Sequence, residues 1–227
     1  MTTFATPKVT LIAHTAIVPD AIEQRMEIQE GSTDAETLTV YAGRSCYESW
    51  SRPNEKTRED KDYLRRTLFE QGHMSILEHA SATFYITGVS RALLAEITRH
   101  RHLSFSVRSQ RFVSEEGANI VIPPAARGSE KLMWEFENAA AGARHSYQEL
   151  VEALLDSGLA RKQAREAARA VLPNMVETRI VVTGNLRAWY EVIERRTAPD
   201  ADAEFQQVAG MIRDELQKLA PEVFPAP

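Results

Sequence analysis

The sequence predicts an α+β fold, and three observations carry that reading. Strand-like runs are few and short: Lys8–Ala13, Ala82–Ile86 and Val176–Thr183 are rich in β-branched and aromatic residues. Longer stretches around them carry apolar residues at helical spacing and stop at Gly or Pro. No internal repeat, low-complexity tract or clear boundary divides the 227 residues. That length supports a substantial core, and one domain over residues 1–227 is expected.

Lys8–Ala13 reads as a first strand, and the polar stretch Val18–Asp34 as loop or irregular insertion. Ala35–Cys46 reads as a helix with Asp34 as its N-cap. A linker rich in Pro and charge, Ser51–Asn54, precedes a helix over Arg58–Gln71, which turns Tyr63, Leu64 and Leu68 inward and stops at Gly72. After Ala82–Ile86 and Gly88, a helix runs through Thr98. Leu103, Phe105 and Val107 then alternate with Ser104 and Ser106, the pattern of an extended, half-buried segment. Ala118–Ile122 reads as a short strand ended by Pro123-Pro124. Ser129–Ser157 is the longest helical stretch, with Leu132, Phe136, Ala139 and Ala140 on one side. Arg161–Val171 is an Ala- and Arg-rich helix ended by Pro173. Val176–Thr183 follows as a strand, and Asn185–Arg196 and Ala203–Leu219 are helical.

Composition excludes several function classes. The net charge is -5 and the isoelectric point is about 5.8, against the basic balance of a general nucleic-acid binder. Cys46 is the only cysteine, so no intrachain disulfide forms and nothing points to secretion. No apolar run approaches the roughly 20 residues of a membrane helix, and no signal-peptide pattern opens the chain. A cytoplasmic protein that engages no membrane and no nucleic acid is expected.

Against this acidic background, Arg99–Arg111 packs four arginines, two histidines and three serines into thirteen positions. So many cations in a small volume repel one another unless anions offset them, which makes the stretch a candidate anion-binding surface. Serine hydroxyls add donors, and arginine's planar fork suits a phosphate or a pyrimidine carbonyl edge. The competing reading is a solvated basic loop that binds nothing. Anchoring by Leu103 and Phe105, at a helix C-terminus where cations are favoured, points instead to a fixed site.

Other constellations are weaker. His73 and His79 beside Glu78 invite a metal, but they lie six apart where helical metalloprotease ligation needs four, and no metal is expected. No GxGxxG or P-loop pattern appears, so a dinucleotide would not bind in the Rossmann manner. Ser109 between two arginines suits phosphate ligation better than nucleophilic catalysis, since no neighbouring base is evident. Cys46 lacks a basic motif to activate it. Arg169, Arg179, Arg187, Arg195 and Arg196 form a second set of cations, each of which alone reads as a solvated helix arginine.

Arg99-His100-Arg101, followed after seven residues by Ser109 and then Gln110-Arg111, resembles the RHR-x7-S pattern of the flavin-dependent thymidylate synthases. Further matches lie in order from His73 to Arg196: Gly72-His73 with Glu78-His79, Arg169-Ala-Val-Leu-Pro173, and Asn185-Leu-Arg187. The resemblance implies a central mixed or antiparallel sheet flanked by long helices. It implies reductive methylation of dUMP to dTMP, with methylenetetrahydrofolate as carbon donor and FAD reduced by NADPH. His73, Ser75, Arg99, His100, Arg101, Val107, Asn185, Arg187 and Glu191 would border the flavin. Glu96, Arg99, Val107, Arg108, Ser109, Gln110, Arg111 and Arg169 would bind the nucleotide, Val107 through its backbone. Arg196 would favour ionisation of the uracil at N3. The family is homotetrameric, with sites shared between subunits.

Four positions depart from the family pattern: Val107 and Arg108, Glu191 where Asn or His is common, and Asp200 where many members have His. The runner-up readings are a flavin-independent nucleotide hydrolase or transferase, and a basic-loop module for RNA or single-stranded DNA. An aromatic content of only 7% weakens the latter, because such surfaces pair charge with stacking rings.

Overall fold

One antiparallel sheet carries the helices and turns that bear the site, described with the rest of residues 4–226 by a computed structural model. Its strands are β1 (Lys8–His14), β2 (Ser81–Ser90), β3 (Ser104–Val107) and β4 (Glu177–Asn185), in the spatial order β1-β2-β4-β3. The expected strands at Lys8–Ala13, Ala82–Ile86 and Val176–Thr183 thus pair side by side, and Leu103–Val107 supplies the edge. Among the described residues, eight α-helices accompany them: α1 (Pro19–Glu23), α2 (Asp34–Ser45), α3 (Asp60–Leu64), α4 (Arg91–Ile97), α5 (Glu130–Asp156), α6 (Arg161–Ala168), α7 (Leu186–Arg196) and α8 (Ala203–Leu219).

Period-2 alternation buries one face of the sheet. Ala82, Phe84 and Ile86 on β2 and Ile180 and Val182 on β4 are fully buried against Trp189 of α7 and Phe205, Ile212 and Leu216 of α8. Burial of each large side chain contributes about 1.5–3 kcal/mol. Trp189 meets Phe84 edge-on at 5.1 Å, and its indole N–H donates to the Ala82 carbonyl at 3.1 Å, so its polar atom is satisfied in the core. Smaller clusters lie under α5 and α6: Ile120, Ile122 and Ala140, and separately Tyr147, Val151 and Ala168.

The functional helix α4 is fixed at its start. Gly88 sits in the left-handed region at φ 68°, where β2 is irregular and the Thr6 carbonyl presses so close that no Cβ fits. Two residues on, Ser90 caps α4 by accepting from the Leu93 N–H at 3.0 Å. The Glu204 carboxylate of α8 accepts from the Ser90 N–H at 2.7 Å and its hydroxyl at 2.6 Å. Buried Glu204 thereby joins α8 to the first turn of α4.

Several elements differ from the sequence reading. The N-cap of α2 is Thr33, not Asp34: Thr33 Oγ1 accepts from the Glu36 N–H and Glu36 Oε2 from the Thr33 N–H, both at 3.2 Å. Asp34 turns away to accept from the Ile17 N–H at 3.3 Å. The stretch Val18–Asp34 contains α1, started by Pro19 at the first helical position. The helix expected over Arg58–Gln71 begins at Asp60 and widens into a π turn over Arg65–Glu70, closed by Gly72 at φ 72°.

Ala118–Ile122 is not a strand; Ile120 alone bridges Phe4 and Val176, because Pro123-Pro124 cannot extend the pairing. On α5, Leu132 and Ala139 face outward, and the buried stripe runs through Met133, Phe136, Ala140, Tyr147 and Val151. Arg161–Val171 divides into α6 and a 3-10 turn, Arg169–Val171, that turns the chain toward Pro173. Among the described residues, no helix is long and apolar enough to cross a membrane.

Candidate active site

The basic stretch Arg99–Arg111 divides into three parts. Arg99–Leu103 is a tight turn at the end of α4, closed by the His100 N–H to Ile97 O at 3.1 Å and the Leu103 N–H to His100 O at 3.2 Å. Leu103 is buried against Gly184, where a Cβ would collide with its side chain. Ser104–Val107 is β3, and Arg108–Arg111 leaves the sheet edge as a second turn. Buried Leu103 and the pairing of β3 with β4 together fix the cluster to the sheet.

The Arg99–Leu103 turn forms one wall of a cavity of about 520 Å³, faced by Ala188, Glu191, Arg195 and Arg196 of α7. Arg196 Nε donates to His100 Nε2 at 3.0 Å, and Arg196 Nη1 to Glu96 Oε2 at 3.1 Å. Glu96 also pairs with Arg99 at 3.2 Å. An arginine keeps its protons at any relevant pH, so His100 Nε2 must be the unprotonated acceptor. Burial pushes the His100 imidazole below its ordinary value, and Arg196, Arg195 and Arg99 push in the same direction against Glu191.

His102, Ala188 and Glu191 also wall a second cavity of about 210 Å³, together with Glu78, Asn185 and Arg187. Asn185 caps α7, its Oδ1 accepting from the Ala188 N–H at 2.8 Å, which leaves its amide NH2 as the free group. Arg187 pairs with Glu78 and lies 3.7 Å from Glu191.

On the other side of Thr98, a groove of about 590 Å³ runs along Val107, Arg108, Ser109, Gln110, Arg111, Arg169 and Arg91. Gln110 is buried there with its Nε2 unpartnered. Arg111 reaches Glu166 of α6 at 3.3 Å. Arg108 turns inward to the Ser114 carbonyl at 3.2 Å and to the buried carboxylate of Glu115 at 3.5 Å. Burial pushes the Glu115 carboxyl above its ordinary value, with Arg108 and Arg91 opposing. Thr98 borders this groove and the first cavity, so the three spaces form a chain of shared walls.

Glu96, Arg99, His100, Arg101, Asn185, Arg187, Glu191 and Arg196 therefore converge around the first two cavities, and Val107 to Arg111 with Arg169 around the third. His73 and Ser75 are exposed on the short 3-10 segment that leads to Glu78, outside all three spaces. Asp200 is exposed in the turn between α7 and α8. Cys46 is exposed at the end of α2 and lines none of these spaces. Among the described residues, no group of three or more His, Cys, Asp or Glu side chains could hold a metal ion.

Sequence reasoning missed Arg91 and Phe205. Arg91 is half-buried in the groove, where burial, Arg169 and Arg108 push its guanidinium below the ordinary value. Its signal was available: a cation at the first position of a helix is disfavoured by the dipole, so something else must favour it there. Phe205 lies nine residues after Arg196 on α8, and its alternative as plain core gave no signal.

An arginine-lined cavity and an arginine-lined groove, sharing the Thr98 wall on an α+β fold, define a class: a protein with a built anion-binding surface. The family described as Thymidylate synthase complementing protein matches residues 27–222. A flavin-dependent thymidylate synthase of Mycobacteroides abscessus is 50% identical over 204 residues, covering 85% of this chain and 81% of that protein. One from Mycobacterium sp. (strain JLS) is 45% identical over 229 residues, covering 96% and 88%. One from Mycobacterium tuberculosis is 47% identical over 203 residues, covering 85% and 81%. The chain belongs to the flavin-dependent thymidylate synthase family.

Proposed function

We propose that the protein converts dUMP to dTMP by reductive methylation, with methylenetetrahydrofolate as carbon donor and a flavin, FAD, reduced by NADPH. Residues 1–227 act as one unit of a cytoplasmic homotetramer whose sites draw on neighbouring subunits. The observation that carries this reading is the meeting of Arg99-His100-Arg101, Asn185-Arg187 and Arg196 around adjoining cavities. Family membership disfavours a flavin-independent hydrolase or transferase and a nucleic-acid module.

The donor set fits a flavin dinucleotide. Arg99, Arg101, Arg187 and the free Asn185 amide offer the N–H donors that a pyrophosphate and ring carbonyls require, with Arg99 and Arg187 held by Glu96 and Glu78 until a ligand competes for them. Bound flavin would supply the reducing equivalents. His73 and Ser75, exposed beside these cavities' Glu78 segment, are assigned to its edge, with Val107 contributing backbone only and Glu191 facing the ring system.

Within the chain, Ser109, Gln110, Arg111 and Arg169 hold the dUMP phosphate, and the inward-turned Arg108 supports that turn from below. Glu96 and Arg99 orient the nucleotide between groove and cavity. Arg196 places a fixed positive charge against the uracil, favouring loss of the N3 proton and raising electron density at C5. Titration of folded protein with FAD, followed by flavin absorbance and by anaerobic bleaching with NADPH, tests the reading. Saturable binding and bleaching are expected, and folded protein that takes up no FAD overturns it.

A further inference from the structure

Arg196 is held on more sides than its two polar partners account for. Its guanidinium carbon lies 4.8 Å from the centroid of the Phe205 ring. The His100 ring meets the same phenyl edge-on, at 5.9 Å and 86°. Phe205 is fully buried, and it is itself fixed: its N–H donates at 3.0 Å to Asp202 Oδ1, the cap of α8. The turn before it is held by Gln206, which donates to the Ala201 carbonyl at 2.7 Å.

A guanidinium is planar, with three donor edges and two faces. Here His100 takes the Nε edge, Glu96 takes Nη1, and the guanidinium carbon lies over the Phe205 ring. Among the described residues, Nη2 makes no hydrogen bond, and Arg196 lines the cavity. The two hydrogen bonds leave the group a rotation about the line of its partners, and the ring beneath it is the remaining contact that can oppose that rotation. The Arg196 side chain is only 17% exposed, so the attraction between cation and ring is little screened.

We propose that Phe205 is a positioning residue of the reaction: its ring face sets the plane in which Arg196 meets the pyrimidine. This rests on the reading of Arg196 given above. Phe205 touches neither substrate nor cofactor in this role and acts only through Arg196. Leucine at this position would fill the core and leave the guanidinium free to tilt.

The test replaces Phe205 in the FAD-loaded enzyme by mono-, tri- and pentafluorophenylalanine. This series keeps the ring's shape and progressively weakens the negative potential of its face. Single-turnover oxidation of reduced flavin is followed at saturating dUMP and methylenetetrahydrofolate, with FAD occupancy and the thermal midpoint measured for each protein. A graded loss reaching about three- to tenfold is expected, and F205L should fall at or beyond the end of the series. In an R196Q background the series should have no further effect, because the interaction is already gone. A flat series, or an equal loss in the R196Q background, overturns the proposal and makes Phe205 a packing residue. The reading of Arg196 itself fails separately, if R196Q turns over at the parental rate.

Discussion

Glu96 Oε2 accepts from Arg196 at 3.1 Å and from Arg99 at 3.2 Å, so one carboxylate on α4 joins two arginines of the same cavity. Without it, Arg196, Arg99 and Arg195 would repel one another, with Glu191 the carboxylate among the residues lining the cavity. Glu96→Ala should lower turnover at saturating dUMP roughly tenfold, the effect of about 1.4 kcal/mol. Glu96→Gln keeps an acceptor for one arginine and should retain more of the rate than Ala. FAD absorbance in each variant shows whether the cofactor stays in place, and an Ala variant at the parental rate would remove Glu96 from the network.

The sheet and most of the helices were legible in the sequence because their signals are local. The β-branched and aromatic run Ala82–Ile86, the alternation of Leu103, Phe105 and Val107 with serines, and the apolar spacing within Ser129–Ser157 each lie within one element. The differences arose where tertiary contacts choose between near-equal local options. Thr33 and Asp34 are both good caps, and Glu36 decides between them. The π turn before His73 leaves no mark in composition. At the site, motif order located both arginine sets, but it could not show that Arg108 turns inward to Glu115. Nor could it show that His100 is spent on Arg196, since the two are ninety-six positions apart.

His100 gives the site a pH dependence whose sign follows from its environment. Burial and three arginines hold its folded value below the ordinary one near 6.5. As pH falls through that ordinary value, the unfolded chain takes the proton before the folded chain does. Stability owed to neutral His100 is therefore complete above about pH 6.5 and declines below it. Urea unfolding at pH 7.5 and pH 5 should show a larger acid loss in the parent than in His100→Asn. Equal losses would mean that His100 titrates normally in the folded protein.

The last prediction concerns which chain supplies each arginine to one site. Arg169 follows α6 and faces the groove with Ser109 to Arg111, whereas Arg196 ends α7 in the cavity beyond Thr98. Under the proposed function, Arg169→Ala loses a charge-assisted bond to phosphate, about 1.5–3 kcal/mol, and weakens dUMP binding on the order of ten- to a hundredfold. Arg196→Ala should instead slow the chemical step at saturating dUMP, a loss specific to the transition state. If a site takes Arg169 from one subunit and Arg196 from another, the two defects should complement. In a mixed pair of Arg169→Ala and Arg196→Ala subunits, one site then keeps both arginines. Co-expressed variants carrying different tags, purified through both, should recover turnover that neither homo-oligomer has at low dUMP. Intact hybrids without recovery would place both arginines in the same chain's site, and the subunit-shared reading would be wrong.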